Sequence, residues 1–336
     1  MQEKNKSIGV LRWGGFGDML MSSIVFPYLK NDGYHITLYG TDRNLPVVKF
    51  DPHVDKRVSI EAGSIPREKW DEYWEECRSH HDRFINFSGS IEGQLLKPEG
   101  HAEFEWSHEL RHQVCDINYY DWTMMWAGYP KVKGQNVQMY FSPAEVSQTK
   151  KRIKKHDRMF KIVWALSGSS PHKAWPYVEI ILKQFLLSHR DVAVYFVGDL
   201  VCSILSSRHW IGDGDKQVMR RIKEYSGKMT IRSTLCLAHH ADLVIGPETG
   251  VMNAVGGQDM GKILFLSHSS HENLSKYWKN TAVMVPSVDC HPCHQLHYTA
   301  SSCPRDKALG APVCQIGVGP KEVAEAINRF YEEWKR

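Results

Sequence analysis

The sequence predicts an α/β protein built from two tandem, doubly wound halves that face each other across a cleft. Three observations predict it. Short apolar runs recur through both halves and alternate with helically spaced segments, the pattern of parallel sheets covered by helices on both faces. At about 150 residues per domain, 336 residues make two domains the expectation. A polar, basic stretch at 143–156, with Lys150, Lys151, Arg152, Lys154 and Lys155, divides the two patterned regions and reads as a solvated helix beside a linker. The expected organisation is a Rossmann-like N-terminal domain at 1–150, a Rossmann-like C-terminal domain at 151–318 with a Cys-rich insert at 290–314, and a C-terminal helix at 319–336 that is a candidate to pack back on the N-terminal domain.

In the first half, residues 7–13 read as a short buried strand, followed by the turn Gly14-Gly15-Phe16-Gly17-Asp18. Met19, Leu20, Ile24, Val25 and Leu29 then recur at helical spacing over 18–30. Residues 35–39 and 82–87 read as further strands, and 91–140, rich in aromatics and histidine, as helix and loop. In the second half, 161–166 is a strand, 167–173 a Ser/Gly/Pro turn, and Trp175-Pro176 opens a helix to about 188. Strands follow at 192–197, 242–246 and 262–266, with helical segments at 233–240 and after Gly250. Residues 320–335 form an amphipathic helix with Val323, Ile327 and Tyr331 on one face.

Composition narrows the function classes. Hydrophobic residues make up 42% and charged residues 24%, ordinary for a globular protein, so disorder is not the default. The net charge of +4 is too small to argue for nucleic-acid binding but leaves room for a basic cleft that receives an anion. No apolar run approaches the ~18 residues of a membrane span, and the N-terminus lacks the apolar core of a secretion signal. A cytoplasmic location is expected, with at most peripheral contact at the inner membrane.

Three turns between a strand end and a helix start are candidates for chemistry. Gly14, Gly15 and Gly17 permit close backbone approach, and Asp18 at the helix start reads either as a cap or as a base held at the cleft. The turn is not GxGxxG, which argues against a nicotinamide-dependent enzyme. Ser169, Ser170 and Lys173, between a strand and a helix, suit a phosphate: hydroxyls, backbone N–H groups and a mobile point charge. Glu248, Thr249, Gly250 and Asn253 lie at a third such turn, where a carboxylate can take sugar or ribose hydroxyls. One Asp-x-Asp, Asp213-Gly214-Asp215, has the pattern that holds a metal on a diphosphate, but turn chemistry accounts for it better. Ser267-His268-Ser269-Ser270-His271-Glu272-Asn273 follows a strand and is either a nucleotide contact or a plain loop.

Eight cysteines are present, and Cys290, Cys293, Cys303 and Cys314 are crowded as C-x2-C-x9-C-x10-C. In a reducing compartment four such thiols suit tetrahedral zinc or iron in a structural role, with His291, His294 and His297 as nearby alternatives; free thiols or a disulfide are the competing readings.

Taken in order, the segments IGVLRWGGFGDMLMSS (8–23), DPHVDKRV (51–58), SGSSPHKAWP (167–176), ADLVIGPETGVMNAV (241–255), CHPC (290–293) and VGPKEV (318–323) resemble glycosyltransferase family nine, the ADP-heptose:lipopolysaccharide heptosyltransferases of the two-Rossmann GT-B type. Asn86 and Glu92 match more loosely. The resemblance implies an inverting glycosyltransferase in which Asp18 is the general base, Ser169, Ser170, Lys173, Thr249 and Gly250 hold the donor diphosphate, and Glu248 and Asn253 contact the donor sugar or ribose. The first domain would then take the acceptor and the second the donor. The donor would be a nucleotide-diphosphate sugar such as ADP-heptose, and the acceptor a glycan, with lipopolysaccharide core a candidate. It implies no catalytic metal, and a four-cysteine finger that holds iron in some members. The chain departs from the family's Asp-Thr-Gly-x-x-His turn at Glu248 and Asn253, so the donor sugar need not be heptose. The alternative is a catalytically weak nucleotide-sugar-binding or assembly protein that retains the fold.

Overall fold

Strand runs such as Ile8–Leu11 and Val192–Val197 are apolar on both sides and lie wholly buried, the signature of strands covered on both faces. The computed structural model describes residues 6–168, 171–208, 216–298, 303–306 and 309–336. The first sheet contains β1 (Lys6–Leu11), β2 (Tyr34–Thr41), β3 (Lys56–Ile60) and β4 (Arg83–Asn86) in the order β3-β2-β1-β4. After a two-residue β5 (Lys97–Pro98), the second sheet comprises β6 (Phe160–Ala165), β7 (Val192–Val197), β8 (Ile222–Glu224), β9 (Leu243–Pro247), β10 (Gly261–Phe265) and β11 (Thr281–Met284). Its order is β11-β10-β9-β6-β7-β8. Every pairing is parallel; Val10 aligns with Leu38 and Ile85, and Ile162 with Val194 and Leu243.

In each sheet the opening strand lies inside. The chain winds outward on one side of β1 and of β6, then crosses to the other side at β4 and at β9. These are switch points, where flanking connections diverge and leave a crevice beyond the carboxyl ends of the strands. The three candidate turns follow β1, β6 and β9, so each lies at such an end.

The apolar stretch at 18–30 is two helices, Phe16–Ser23 and Phe26–Asn31, because Pro27 lacks an N–H and opens the second rather than continuing the first. The helix expected from Trp175 begins at Val178, and Trp175 is instead a buried anchor whose indole N–H donates to the Val318 carbonyl at 3.1 Å. Within 91–140 lie helices His108–Cys115 and Tyr119–Trp126, capped by the side chains of Ser107 and Asn118. Strands β3, β8 and β11 and the helices Trp70–Ser79, Leu200–Arg208 and Lys216–Arg221 have no counterpart in the sequence pattern, being short or mostly partly exposed and so carrying little period.

One expectation is corrected. The terminal helix Pro320–Lys335 does not pack on the first half: Val323, Ile327, Phe330 and Tyr331 join the core of the second sheet with Phe160 and Ile263. Gly261 on β10 makes room for it, since a Cβ there would lie 2.6 Å from the Phe330 ring. The Tyr331 hydroxyl donates to Asp191 at 2.6 Å.

The halves share a continuous core in which Met19, Leu20 and Val47 pack with Leu235, Val251 and Val255. Arg232 adds a polar pin: buried, it donates to both Glu145 oxygens at 2.6 and 2.7 Å and to the carbonyls of Val47 and Tyr140 at 3.0 and 2.7 Å. A two-residue strand β12 (Gln295–Leu296) pairs with β5, joining the cysteine segment to the first half. Among the described residues no helix is long and apolar enough to cross a membrane.

Candidate functional site

The turn after β1 is shaped by its glycines. Gly14 has φ +120°, and a Cβ there would lie 3.0 Å from Asp18 Oδ2. Gly15 donates its N–H to that same oxygen at 2.8 Å, so Asp18 does cap its helix. It also does more. Arg12, the last buried residue before the turn, reaches Asp18 Oδ1 at 3.4 Å and donates to both oxygens of Glu92 at 3.0 and 2.9 Å and to the Phe87 carbonyl at 2.8 Å. Glu92 comes from the loop after β4, the other strand of the switch point. Burial and the Glu92 charge push the Asp18 carboxyl up to about 7, against the pull of Arg12, and a hydrogen bond to Glu92 favours its protonated form. Glu92 is also raised by burial, but the Arg12 charge outweighs this and holds it below the usual carboxylate range. Two carboxylates over one guanidinium thus titrate apart, the electronic situation of an acid–base pair.

Gly17 and Phe16 meet the turn after β9 directly. A Cβ on Gly17 would lie 3.2 Å from Gly250 Cα and from Asn253 Nδ2, and a Cβ on Gly250 would overlap the Phe16 ring. Thr249 caps the helix Gly250–Val255, its hydroxyl accepting from the Met252 N–H at 3.3 Å. Asn253 is buried against Gly17, with its Oδ1 unpartnered. From the turn after β6, Lys173 donates to the Glu248 carbonyl at 3.0 Å. Burial lowers its pKa and outweighs the opposing charges of Glu248, Asp18 and Cys293, so Lys173 and Asp18 lie within electrostatic reach across the two sheets. Ser169 and Ser170 fall outside the described residues, as does Asp213-Gly214-Asp215.

The Glu248 side chain is engaged within the chain. Oε1 accepts from the N–H groups of Ser267 and Ser269 at 2.5 and 3.1 Å, and Oε2 accepts from the Ser269 hydroxyl at 3.1 Å and pairs with His268 Nε2 at 2.7 Å. Four contacts fill the acceptor capacity of a carboxylate. Burial alone would raise its pKa, but His268, Lys173 and the Ser267 N–H hold it far below the carboxylate range. Tyr119 shares a 2.8 Å hydrogen bond with Ser269, tying this loop to the first half. The sequence does not single out Arg12 or Tyr119, which join this arrangement, whereas His268 and Ser269 lie in the segment after β10 that reads as either a nucleotide contact or a plain loop. Arg12 has a signal, a charge closing an otherwise apolar strand; Tyr119, in a first-half helix, has none.

The four crowded cysteines are not disulfide-bonded. Burial pushes Cys293 and Cys314 up to about 12, with Cys290 acting on both, Cys314 acting on Cys293, and Cys303 acting on Cys314, so the four thiols are electrostatic neighbours. A hollow of about 870 Å³ lies elsewhere, beside the basic helix Pro143–Ile153, and none of its lining residues belongs to the candidate turns.

No family model matches the chain, and no curated protein matches it in sequence. Solved structures do match in fold. A glycosyl transferase of family 9 from Veillonella parvula DSM 2008 superposes with a TM-score of 0.69 at 13% identity, over 99% of each chain. The E. coli ADP-heptose lps heptosyltransferase II gives 0.69 at 15% identity, over 98% of this chain and 100% of that one. The dodecameric iron-containing heptosyltransferase TibC of enterotoxigenic E. coli, in complex with ADP-D-beta-D-heptose, gives 0.61 at 13% identity, over 100% of this chain and 80% of that one. The likeness to glycosyltransferase family 9 carried by the ordered motifs therefore extends to the tertiary structure, and over nearly its whole length the chain has the fold of that family.

Proposed function

We propose that the protein is an inverting glycosyltransferase of GT-B organisation that moves a sugar from a nucleoside-diphosphate donor to a hydroxyl of a glycan acceptor. The observation that carries this reading is Asp18: a carboxyl pushed up to about 7, at the carboxyl end of the switch-point strand, within electrostatic reach of Lys173 from the other sheet. Such a group is a competent general base near neutral pH. Asp18 takes the acceptor hydroxyl proton as that oxygen bonds to the anomeric carbon. The anomeric carbon–oxygen bond to the diphosphate breaks, and its electron pair leaves on the diphosphate. Lys173, with Ser169, Ser170, Thr249 and Gly250, receives that charge. Attack opposite the leaving group inverts the anomeric centre. In this reading the first half binds acceptor and the second binds donor.

Glu248 serves as a positioning residue, holding the loop Ser267–Ser270 toward the donor rather than taking a sugar hydroxyl itself, because its oxygens are already filled. Cys290, Cys293, Cys303 and Cys314 have the right donor chemistry for a structural zinc or iron and act on one another electrostatically, but no three of them bring their sulfurs within 4.8 Å of one another, so they do not stand at coordination distance. Bound there, the ion would fasten the cysteine segment, and no step of the transfer runs through it.

A second reading, a nucleotide-sugar-binding protein without turnover, is favoured by the saturated Glu248 and by Asn253, which cannot titrate. A thermal-shift screen over ADP-, GDP-, UDP- and CDP-sugars, followed by measurement of nucleotide release, separates the two. Ligand at about 100 times its dissociation constant adds ~2.7 kcal/mol of stability. Stabilisation with release that Asp18→Asn abolishes supports transfer, stabilisation without release supports binding alone, and a flat response to every donor defeats both.

A further inference from the structure

Away from the turns, the tertiary structure gathers one more set of metal-ligating side chains. His112 lies in the helix His108–Cys115, Asp116 just past its end, and His294 in the segment leading to β12. His112 Nδ1 and His294 Nε2 are 3.0 Å apart although 182 residues separate them in sequence. Asp116 Oδ2 lies 3.8 Å from His112 Nε2. One ligand atom from each of the three falls within 4.8 Å of the other two, and among the described residues this is the one trio of His, Cys or carboxylate groups that does so. Those two distances use different nitrogens of the His112 ring, so a shared zinc, whose donors about 2.0–2.2 Å away stand roughly 3–3.6 Å apart, takes one of them and needs the side chain on the other side of the ring turned toward it.

The surroundings hold these groups in place. His294 is fully buried with φ +52°, a left-handed conformation uncommon outside glycine, and its backbone is pinned by bonds to the His268 carbonyl and the Lys97 N–H at 2.9 and 2.8 Å. Its ring points Nε2 at His112 while Nδ1 is buried without a partner, so no hydrogen bond on that side sets the orientation. Asp116 is anchored through its other oxygen by the Ser270 hydroxyl, the outer-shell support that orients carboxylate ligands. His108 is not a candidate ligand: its Nε2 bonds the Pro292 carbonyl at 3.0 Å, and its ring stacks on His112. A hydrogen bond between the two rings satisfies one pair of nitrogens and leaves Asp116 beyond hydrogen-bond reach of His112. A cation engages all three.

We propose that His112, Asp116 and His294 form a divalent transition-metal site, suited to zinc and separate from the four cysteines. Imidazole and carboxylate are ordinary zinc donors, and three protein ligands leave a position for water. The site clamps a first-half helix to the second-half cysteine segment.

The test uses the full-length protein, stripped with a chelator and titrated with zinc chloride by calorimetry and with cobalt(II) by absorption spectroscopy. The wild type is expected to bind one equivalent more than His112→Ala, with a cobalt component lacking sulfur charge-transfer bands. Removing a ligand should exceed the 10–100-fold loss typical of an outer-shell partner, so His112→Ala and the near-isosteric Asp116→Asn should each weaken that equivalent by roughly 100-fold or more. Ser270→Ala should weaken it about 10-fold. His112 is 45% exposed, so its truncation should not unfold the chain, and Asp116→Asn gives the same reading should it do so. Equal zinc uptake by wild type and both variants, or cobalt bound only with thiolate bands, overturns the proposal.

Discussion

Replacing Glu92 with Gln should move the acidic limb of the pH–rate profile while leaving the base in place. The Arg12 Nη2 nitrogen lies 2.9 Å from Glu92 and 3.4 Å from Asp18, so the two carboxylates are at most about 6 Å apart. A unit charge at about 4–6 Å contributes roughly 3–4 kcal/mol at an effective dielectric near 20. At 1.36 kcal/mol per pH unit, that corresponds to about two to three units. The sign follows from the chemistry. A base works only when deprotonated, so wild-type kcat/KM should rise as pH passes through about 7, the value to which Asp18 is pushed. In Glu92→Gln the repulsion is gone and Arg12 remains, so the rise should come roughly two to three units lower, at about 4–5. The assay is initial-rate nucleotide release between pH 4 and 9 with the donor found by thermal shift, checked by carbon NMR titration of aspartate side chains. A wild-type profile without this limb, or a Glu92→Gln limb that stays near 7, refutes the reasoning.

Other outcomes follow from the same contacts. Asp18→Asn should lower kcat by about 100- to 10,000-fold with donor affinity nearly unchanged, read by steady-state kinetics beside calorimetry. Gly250→Ala should destabilise the fold by about 1–3 kcal/mol in urea denaturation, because the new methyl meets the Phe16 ring where the two turns interlock. Arg232→Ala should cost about 3–5 kcal/mol by the same measure, since it leaves Glu145 without the cation that holds both its oxygens. A loss under about 1 kcal/mol there would show that the pin between the halves is dispensable.

The strands that were legible are those buried on both faces. The runs at 7–13, 161–166 and 192–197 match β1, β6 and β7 to within two residues because an unbroken apolar run has few other places to go. Lys56–Ile60 and Ile222–Glu224 were illegible, since a short, partly exposed strand carries charges and shows no period. Asp18 and Lys173 stand out in the sequence because each sits at a strand end in a Gly- or Ser-bearing turn. The contacts of Glu248 were illegible, because nothing local reveals that Ser267, His268 and Ser269 return to fill its oxygens.

By itself the sequence determined the alternation of buried strands and helices, the glycine and proline turns that end them, and the order of motifs along the chain. These depend on side-chain period and backbone freedom within a few residues, which local sequence carries. Only the tertiary structure decided that Phe16 would seat on Gly250, that Arg12 would balance Asp18 against Glu92, that the terminal helix would cover β10, and that His112 would meet His294. Those outcomes depend on which surfaces bury each other and on charges that shift one another only at contact distance, and contacts between residues about 70 to 230 positions apart leave no trace in local pattern.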